Sequence, residues 1–293
     1  MDMVDYLTTK ELAELLRIKE RKVYDLAASG EVPCSRAMGK LLFPRDAVEA
    51  WIAARSSGVE RFTDKPLPNV FLGSHDPLLE WALRESRCGI ATFFDGSTDG
   101  LTRFANHEGM ASGLHLYDPP SESWNERFIA ERFAASPVVL VGWAKRQRGL
   151  IIDEKLKGKI GKISDLRGRR VAPRQTESGA QALFAHLLQR AGLAVNDLEI
   201  TEPARTEADA ALAVLENKAE ATFGLASLAA QYRLPFVPLI EERFDLLVDR
   251  RAWFLPPMQA FLDFCRSEAF RARAEELAGY DISELGKVRF VGA

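Results

Sequence analysis

Three corners of the chain carry the small and hydroxyl side chains from which an anion site is built. In Phe94-Asp95-Gly96-Ser97-Thr98-Asp99-Gly100-Leu101, the preceding run Gly89-Ile90-Ala91-Thr92-Phe93-Phe94 reads as a buried strand, and Leu101, Phe104 and Ala105 follow helical spacing. Ser97 and Thr98 therefore stand where a strand feeds a helix. Unpaired backbone N–H groups and the helix dipole favour negative charge there, and hydroxyls add donors. Gly73-Ser74-His75-Asp76 follows Val70-Phe71-Leu72 in the same way, and Arg174-Gln175-Thr176-Glu177-Ser178-Gly179 follows Val171-Ala172. A hydroxyl at such a corner also serves as an ordinary helix cap. The recurrence of the pattern is what points to convergence on one cleft. The expected ligand-binding set is Ser74, Ser97, Thr98 and Ser178 as neutral donors and Arg174 as the strong cation. Gln175 and Gly179 sit beside them, and His75 and His115 fall at strand ends near the cleft mouth.

Other chemistries find little support. No His-Glu-x-x-His, paired cysteine spacing or Asp-rich loop indicates a metal, and Cys34, Cys88 and Cys265 lie far apart. No Gly-x-Ser-x-Gly elbow or phosphate-binding lysine loop appears. The expectation is no catalytic residue, no metal and no cofactor. The alternative is an enzyme using His75 or His115 as acid/base, or a module that binds a cofactor precursor. The formal net charge of −3 makes no global case for nucleic acid or membrane, so any DNA contact has to come from a local patch. Met1-Asp2-Met3-Val4-Asp5 lacks the apolar core of a signal peptide, and no apolar run reaches the length of a membrane span. The expected location is cytoplasmic, with no membrane partner.

The elements that must position these residues divide the chain. Its 293 residues suit about two domains. Residues 6–52 read as two short helices, a hairpin and a closing helix. Thr8 or Thr9 caps the first helix, which carries Leu12, Ala13, Leu15 and Leu16 with Glu11 in its first turn. The second presents Val23, Leu26 and Ala27 on one face and Arg21, Lys22 and Tyr24 on another, and Ser29-Gly30 ends it. A hairpin with Gly39 near its tip, flanked by Arg36 and Lys40, precedes a helix through Ala47, Val48, Trp51 and Ile52. In such a winged helix-turn-helix the second helix enters the major groove and the wing lies on phosphate. Lys19, Arg21, Lys22, Tyr24, Arg36 and Lys40 are the expected DNA-binding residues. The region resembles the excisionase/MerR-type DNA-binding domain through Tyr6-Leu7-Thr8-Thr9-Lys10-Glu11-Leu12-Ala13, Lys22-Val23-Tyr24, Gly30-Glu31-Val32-Pro33, Lys40-Leu41-Leu42-Phe43 and Ala50-Trp51-Ile52. No long heptad helix follows it, so a dimer has to use another surface.

The domain boundaries read as residues 1–55 for this unit, 56–67 for a linker rich in small residues, Gly and Pro, and 68–293 for a ligand-binding domain with its second lobe at roughly 150–235. Strands and helices alternate from Asn69 on: strand 69–73, helix 76–86, strand 89–94, helix 98–106, strand 110–115 and a buried strand at 137–143. Leu150-Ile151-Ile152 begins a crossover. Val171-Ala172, helices 178–191 and 206–217, strand 220–224, the returning strands at 236–239 and 244–248, and helices 257–265 and 268–277 complete the pattern. The alternation argues an α/β fold with mostly parallel sheets. The basic run Lys145-Arg146-Gln147-Arg148 reads as a solvated face. Trp124, Trp143 and Trp253 read as core.

Ile163-Ser164-Asp165-Leu166-Arg167-Gly168-Arg169-Arg170-Val171-Ala172 resembles the entry to the second lobe of type II periplasmic-binding-protein folds, and Glu216-Asn217-Lys218-Ala219-Glu220-Ala221-Thr222-Phe223-Gly224 resembles a later strand of theirs. Residues 69–286 more narrowly resemble the binding-protein-like domain fused to excisionase-type helix-turn-helix domains. Gly73-Ser74-His75-Asp76-Pro77, Gly96-Ser97-Thr98-Asp99-Gly100-Leu101, Ala111-Ser112-Gly113-Leu114-His115 and Gly279-Tyr280-Asp281-Ile282-Ser283 are among the matching motifs. The resemblance implies a bilobal sensor behind a winged helix-turn-helix. It implies a ligand-responsive regulator that binds a double-stranded DNA operator as a homodimer and senses a small molecule, molybdate or tungstate being the ligand usually proposed. The chain departs from the family pattern at Asp99, at Thr176-Glu177 and at Gln181, where a basic residue is expected. Added carboxylates facing the cleft would oppose a dianion, and a small organic carboxylate or zwitterion is the alternative ligand.

Overall fold

Thr8 opens the first helix with a reciprocal cap. Its hydroxyl accepts from the Glu11 N–H at 3.3 Å, and the Glu11 carboxylate accepts from the Thr8 N–H at 2.8 Å. The computed structural model describes residues 6–37, 39–55, 67–176 and 178–293. Residues 56–66 of the expected linker at 56–67, and Glu177, lie outside the described residues. The chain divides into two compact units, Met1–Lys65 and Pro66–Ala293.

In the first unit, helices Thr9–Leu16, Glu20–Ala28 and Arg45–Arg55 pack on a three-stranded antiparallel sheet ordered Tyr6–Leu7, Lys40–Pro44, Ser35–Ala37. Leu12, Val23, Phe43 and Val48 are fully buried at its centre. Gly39, at φ +76°, supplies the left-handed turn of the wing.

The second unit is built on one ten-stranded sheet. Its order runs Glu199–Ile200, Arg170–Ala172, Ala221–Leu225, Val138–Ile152, Phe236–Asp249, Ala111–Leu114, Val70–Gly73, Ala91–Phe93, and Tyr280–Asp281 and Val288–Val291 also pair with Val138–Ile152. Two long antiparallel strands, Val138–Ile152 and Phe236–Asp249, run from one lobe into the other. This corrects two expectations. Leu150-Ile151-Ile152 does not begin a crossover but ends a 15-residue strand, and the runs at 236–239 and 244–248 are one strand with bulges between Pro238 and Ile240 and between Phe244 and Asp245. The sheet is also not mostly parallel. Val70–Gly73 runs parallel to its two neighbours, as does Arg170–Ala172, but the strands joining the lobes are antiparallel.

Helices cover both faces of each lobe. In the first lobe Phe71, Leu79, Trp143 and Phe261 lie on one side, and Leu72, Leu101, Phe104 and Leu140 on the other. In the second lobe Leu150, Val171, Phe184 and Phe223 form the larger cluster, with Ile151 and Leu225 on the opposite side. Trp124 and Trp143 are buried, and Trp253 is partly buried.

Candidate functional site

Gly73 and Gly100 set the first wall of a cleft between the lobes. A Cβ on Gly100 would stand 2.3 Å from the Gly73 Cα, so the helix Ser97–Ala105 begins flush against the strand Val70–Gly73. That contact brings the Ser97 hydroxyl to 2.8 Å from the Ser74 hydroxyl, and it also accepts from the His115 N–H at 3.2 Å. Ser97 is completely buried, so it braces the wall from behind. Gly96, at φ +113°, precedes the helix and offers no side-chain cap, which leaves the first-turn N–H groups to other partners.

The second lobe answers with a similar corner. Ser178 precedes the helix Gly179–Arg190 and makes no capping bond, so its hydroxyl stays available. Gly179 sits over the His115 ring, where an added Cβ would lie 3.5 Å from Cε1. Arg174 is half-buried. Its Nη1 donates to the Ala204 carbonyl at 2.8 Å, its Nε is buried without a partner, and its backbone N–H is held by Gln181 at 2.9 Å. Burial lowers the Arg174 pKa from the usual arginine value, with Glu207 opposing.

Between these walls lies a cavity of about 90 Å³. Ser74, His75 and His115 line it from the first lobe, and Arg174, Gln175, Ser178 and Gly179 from the second. Of the expected ligand-binding residues, Ser97 is behind the wall and Thr98 is exposed outside the cavity, its carbonyl accepting from the Thr102 hydroxyl. Adjacent residues diverge on a helix, so Thr98 cannot share the direction of Ser97. Phe94, Asp95, Arg205, Thr206 and Glu207 also line the cavity and were not anticipated. Asp99 does not line it; its carboxylate takes the Arg103 Nε at 2.7 Å on the outer side of its helix. His75 is exposed, 3.0 Å from Glu80.

Beneath the cleft the lobe-joining strands carry a buried ladder of charge. This overturns the solvated reading of Lys145-Arg146-Gln147-Arg148. Arg146 and Arg148 are 1% and 0% exposed, alternate residues on one face of a strand, with Glu242 opposite Arg146 on the neighbouring strand. Arg146 donates to Asp76 at 2.8 Å and to Glu242, and Arg148 donates to Glu242 at 2.6 Å and to Glu207 at 2.7 Å. Asp76, the cap of the helix Pro77–Glu85, also accepts from Trp143 Nε1 at 2.9 Å and the Tyr280 hydroxyl at 2.6 Å. His115 Nδ1 lies 3.0 Å from Glu242, and its ring stacks on Phe244, which also supports the Arg146 guanidinium at 4.4 Å. Burial opposes ionisation of Glu242, but Arg146, Arg148 and His115 hold its carboxyl well below the usual range. Glu207 is likewise lowered, against its burial, by Arg148 and Arg146. The ladder ties Asp76 of the first lobe to Glu207 of the second through the strands that join them. Strand alternation was the signal that could have revealed it.

In the first unit Lys19, Arg21, Lys22, Tyr24, Arg36 and Lys40 are all exposed. Tyr24, Arg36 and Lys40 border one groove between the helix Glu20–Ala28 and the wing. Among the described residues no cluster of three or more His, Cys, Asp or Glu is placed to hold a metal ion. No helix among them is long and apolar enough to cross a membrane.

Comparison with known proteins agrees with this division. Residues 80–266 match the family model of the PBP superfamily domain, and residues 6–56 that of a helix-turn-helix domain. The Uncharacterized protein YvgK of Bacillus subtilis (strain 168) is 24% identical over 308 residues, spanning 98% of this chain and 99% of that protein. Among solved structures, the alkanesulfonate-binding protein SsuA from Xanthomonas axonopodis pv. citri bound to MOPS aligns with a TM-score of 0.45 and 17% identity, over 74% of this chain and 80% of that one. The GluR0 ligand-binding core from Nostoc punctiforme in complex with (L)-glutamate aligns with a TM-score of 0.47 and 15% identity, over 73% and 99%.

Proposed function

Given that the chain belongs to the PBP superfamily and carries a helix-turn-helix domain ahead of it, we propose that it is a cytoplasmic, ligand-responsive DNA-binding transcriptional regulator whose effector is anchored by an oxyanion group. The observation that carries the anion reading is the facing of two uncapped helix N-termini, at Gly96 and at Ser178, across a cavity bordered by Ser74 and Arg174. Neutral hydroxyls, backbone N–H groups and the Arg174 guanidinium suit a small anion better than a cation or an apolar molecule. Molybdate and tungstate are the simplest members of the class; carboxylate, sulfonate and phosphate groups share its chemistry. The regulatory reading follows from joining such a cleft to a wing and helix that present basic side chains to water. Effector binding favours a closed arrangement of the lobes, a population shift set by the difference in affinity for open and closed forms. The protein acts as a homodimer on a two-fold operator, as helix-turn-helix readers commonly do.

Thermal unfolding of the full chain across a panel of oxyanions and organic anions tests the cleft. A binder at about 100 times its dissociation constant stabilises by about 2.7 kcal/mol. Arg174→Ala is expected to abolish that stabilisation while the unliganded protein stays folded. A variant with wild-type affinity would limit Arg174 to bracing Ala204.

A further inference from the structure

The cleft does not end at the anion cavity. A second compartment of about 490 Å³ lies between the first-lobe helix Pro77–Glu85 and the second-lobe helices Glu207–Leu215 and Ala226–Gln231. His75, Thr206 and Glu207 line both compartments, so the two meet there. Trp81, Pro77, Leu225 and Leu228 give the larger one an apolar wall.

Most charged groups on that wall are engaged. Glu80 faces His75 at 3.0 Å, Arg84 faces Glu85 at 3.4 Å, and Arg273 faces Glu276 at 2.9 Å. Glu207 differs. Its Oε1 accepts from Arg148, and its Oε2 is buried with no hydrogen-bond partner. A buried acceptor left unpaired is costly, and a charged one more so. The junction of the two compartments therefore holds an unmet demand for a donor.

A bare inorganic dianion cannot meet it, since it brings no donor to Glu207 and its charge repels the carboxylate. The charge around the anion cavity points the same way. Among the described residues, Arg174 and Arg205 are balanced by Asp95 and Glu207. A site selecting a dianion gains from excess positive charge; a balanced one suits a ligand carrying both signs.

Resting on the oxyanion-anchored reading above, we infer that the effector is an amphoteric organic anion. Its anionic head lies in the small cavity between Ser74 and Ser178, an ammonium or other N–H donor faces Glu207, and an apolar or aromatic body extends along Trp81. Glu207 then determines specificity rather than anchoring the anion.

The test is calorimetric titration of the full chain with three sets of probes. One set is amphoteric: the standard L-amino acids with aminosulfonates and aminophosphonates. The second holds the same molecules without the amino group. The third is molybdate, tungstate and sulfate. An amphoteric probe is expected to bind at least about tenfold tighter than its deaminated partner, because a site with an unpaired carboxylate rejects the analogue lacking the donor. Glu207→Gln is expected to erase that preference, and Trp81→Ala to weaken probes with an apolar body while sparing inorganic anions. The paired wild-type titrations stand even where a variant fails to fold. Equal binding of aminated and deaminated partners overturns the role of Glu207. Binding of inorganic oxyanions without any amphoteric probe overturns the inference and leaves the anion site intact. No binding by any of the three sets overturns both.

Discussion

Two groups of basic side chains in this molecule look alike in sequence and do opposite things. Arg21, Lys22, Arg36 and Lys40 of the N-terminal unit stand in water. Arg146 and Arg148 have almost no exposure. A hydrated guanidinium or ammonium remains free to trade its solvent for DNA phosphate, and contributes little to the fold. A buried guanidinium has already lost its solvent and is tolerable only because carboxylates replace it. Arg146 and Arg148 find those carboxylates on three separate elements, at Asp76, Glu242 and Glu207. Position in the pleat, not residue type, separates the two groups.

The strongest way to break this comparison is to remove the shared carboxylate. Glu242→Ala leaves both guanidinium groups buried and short of a partner, and is expected to cost about 3–5 kcal/mol in denaturant unfolding of the second unit. Lys40→Ala is expected to stay within about 0.5 kcal/mol. A Glu242→Ala protein as stable as wild type would mean the ladder is hydrated and the contrast false.

A smaller effect sharpens the comparison through acid. The folded values of Glu242 and Glu207 lie below their ordinary 4.5. A depressed carboxyl contributes stability that is complete above the unfolded value and is lost as pH falls through the folded one. The second unit is thus expected to lose stability progressively below about pH 4.5, a loss that Glu242→Gln makes shallower. Denaturant midpoints measured against pH check the difference in slope.

The smallest expected change separates binding from folding. Lys40→Ala is expected to weaken binding of the full chain to every duplex and to reduce the slope of log affinity against log salt by about one. Glu242→Gln is expected to leave that slope unchanged. Fluorescence anisotropy over a salt series reads both; an unaltered slope for Lys40→Ala would take the wing off the phosphate backbone.

What the sequence made legible were features with local causes. The corners at Gly73-Ser74, Gly96-Ser97 and Ser178-Gly179 stand out because tight strand-to-helix turns need small residues, and the α/β bilobal architecture follows from alternating runs. The reciprocal cap at Thr8 and Glu11 is equally local. The ladder is not. Charged residues interrupt the apolar pattern of Val138–Ile152, so one long strand reads as two pieces, and the bulges in Phe236–Asp249 split its partner in the same way. Inward Arg146 and Arg148 alternate with more exposed Lys145 and Gln147, a period of two that composition hides. Glu207 meets Arg148 across 59 positions, which no local pattern encodes.

The route of the chain through the sheet also bears on its synthesis. The second-lobe strands are contributed by one continuous stretch between Gly149 and Pro238. The first lobe begins with Val70–Gly73 yet takes Asp245–Asp249 and Val288–Val291 onto the early segment Val138–Gly142. On a translating ribosome the inserted lobe can therefore finish first, while the lobe that starts earlier waits with an apolar strand edge open until residue 291 has emerged. That interval is when nascent chains are most exposed to wrong pairing with one another through the open edge at Val138–Val141.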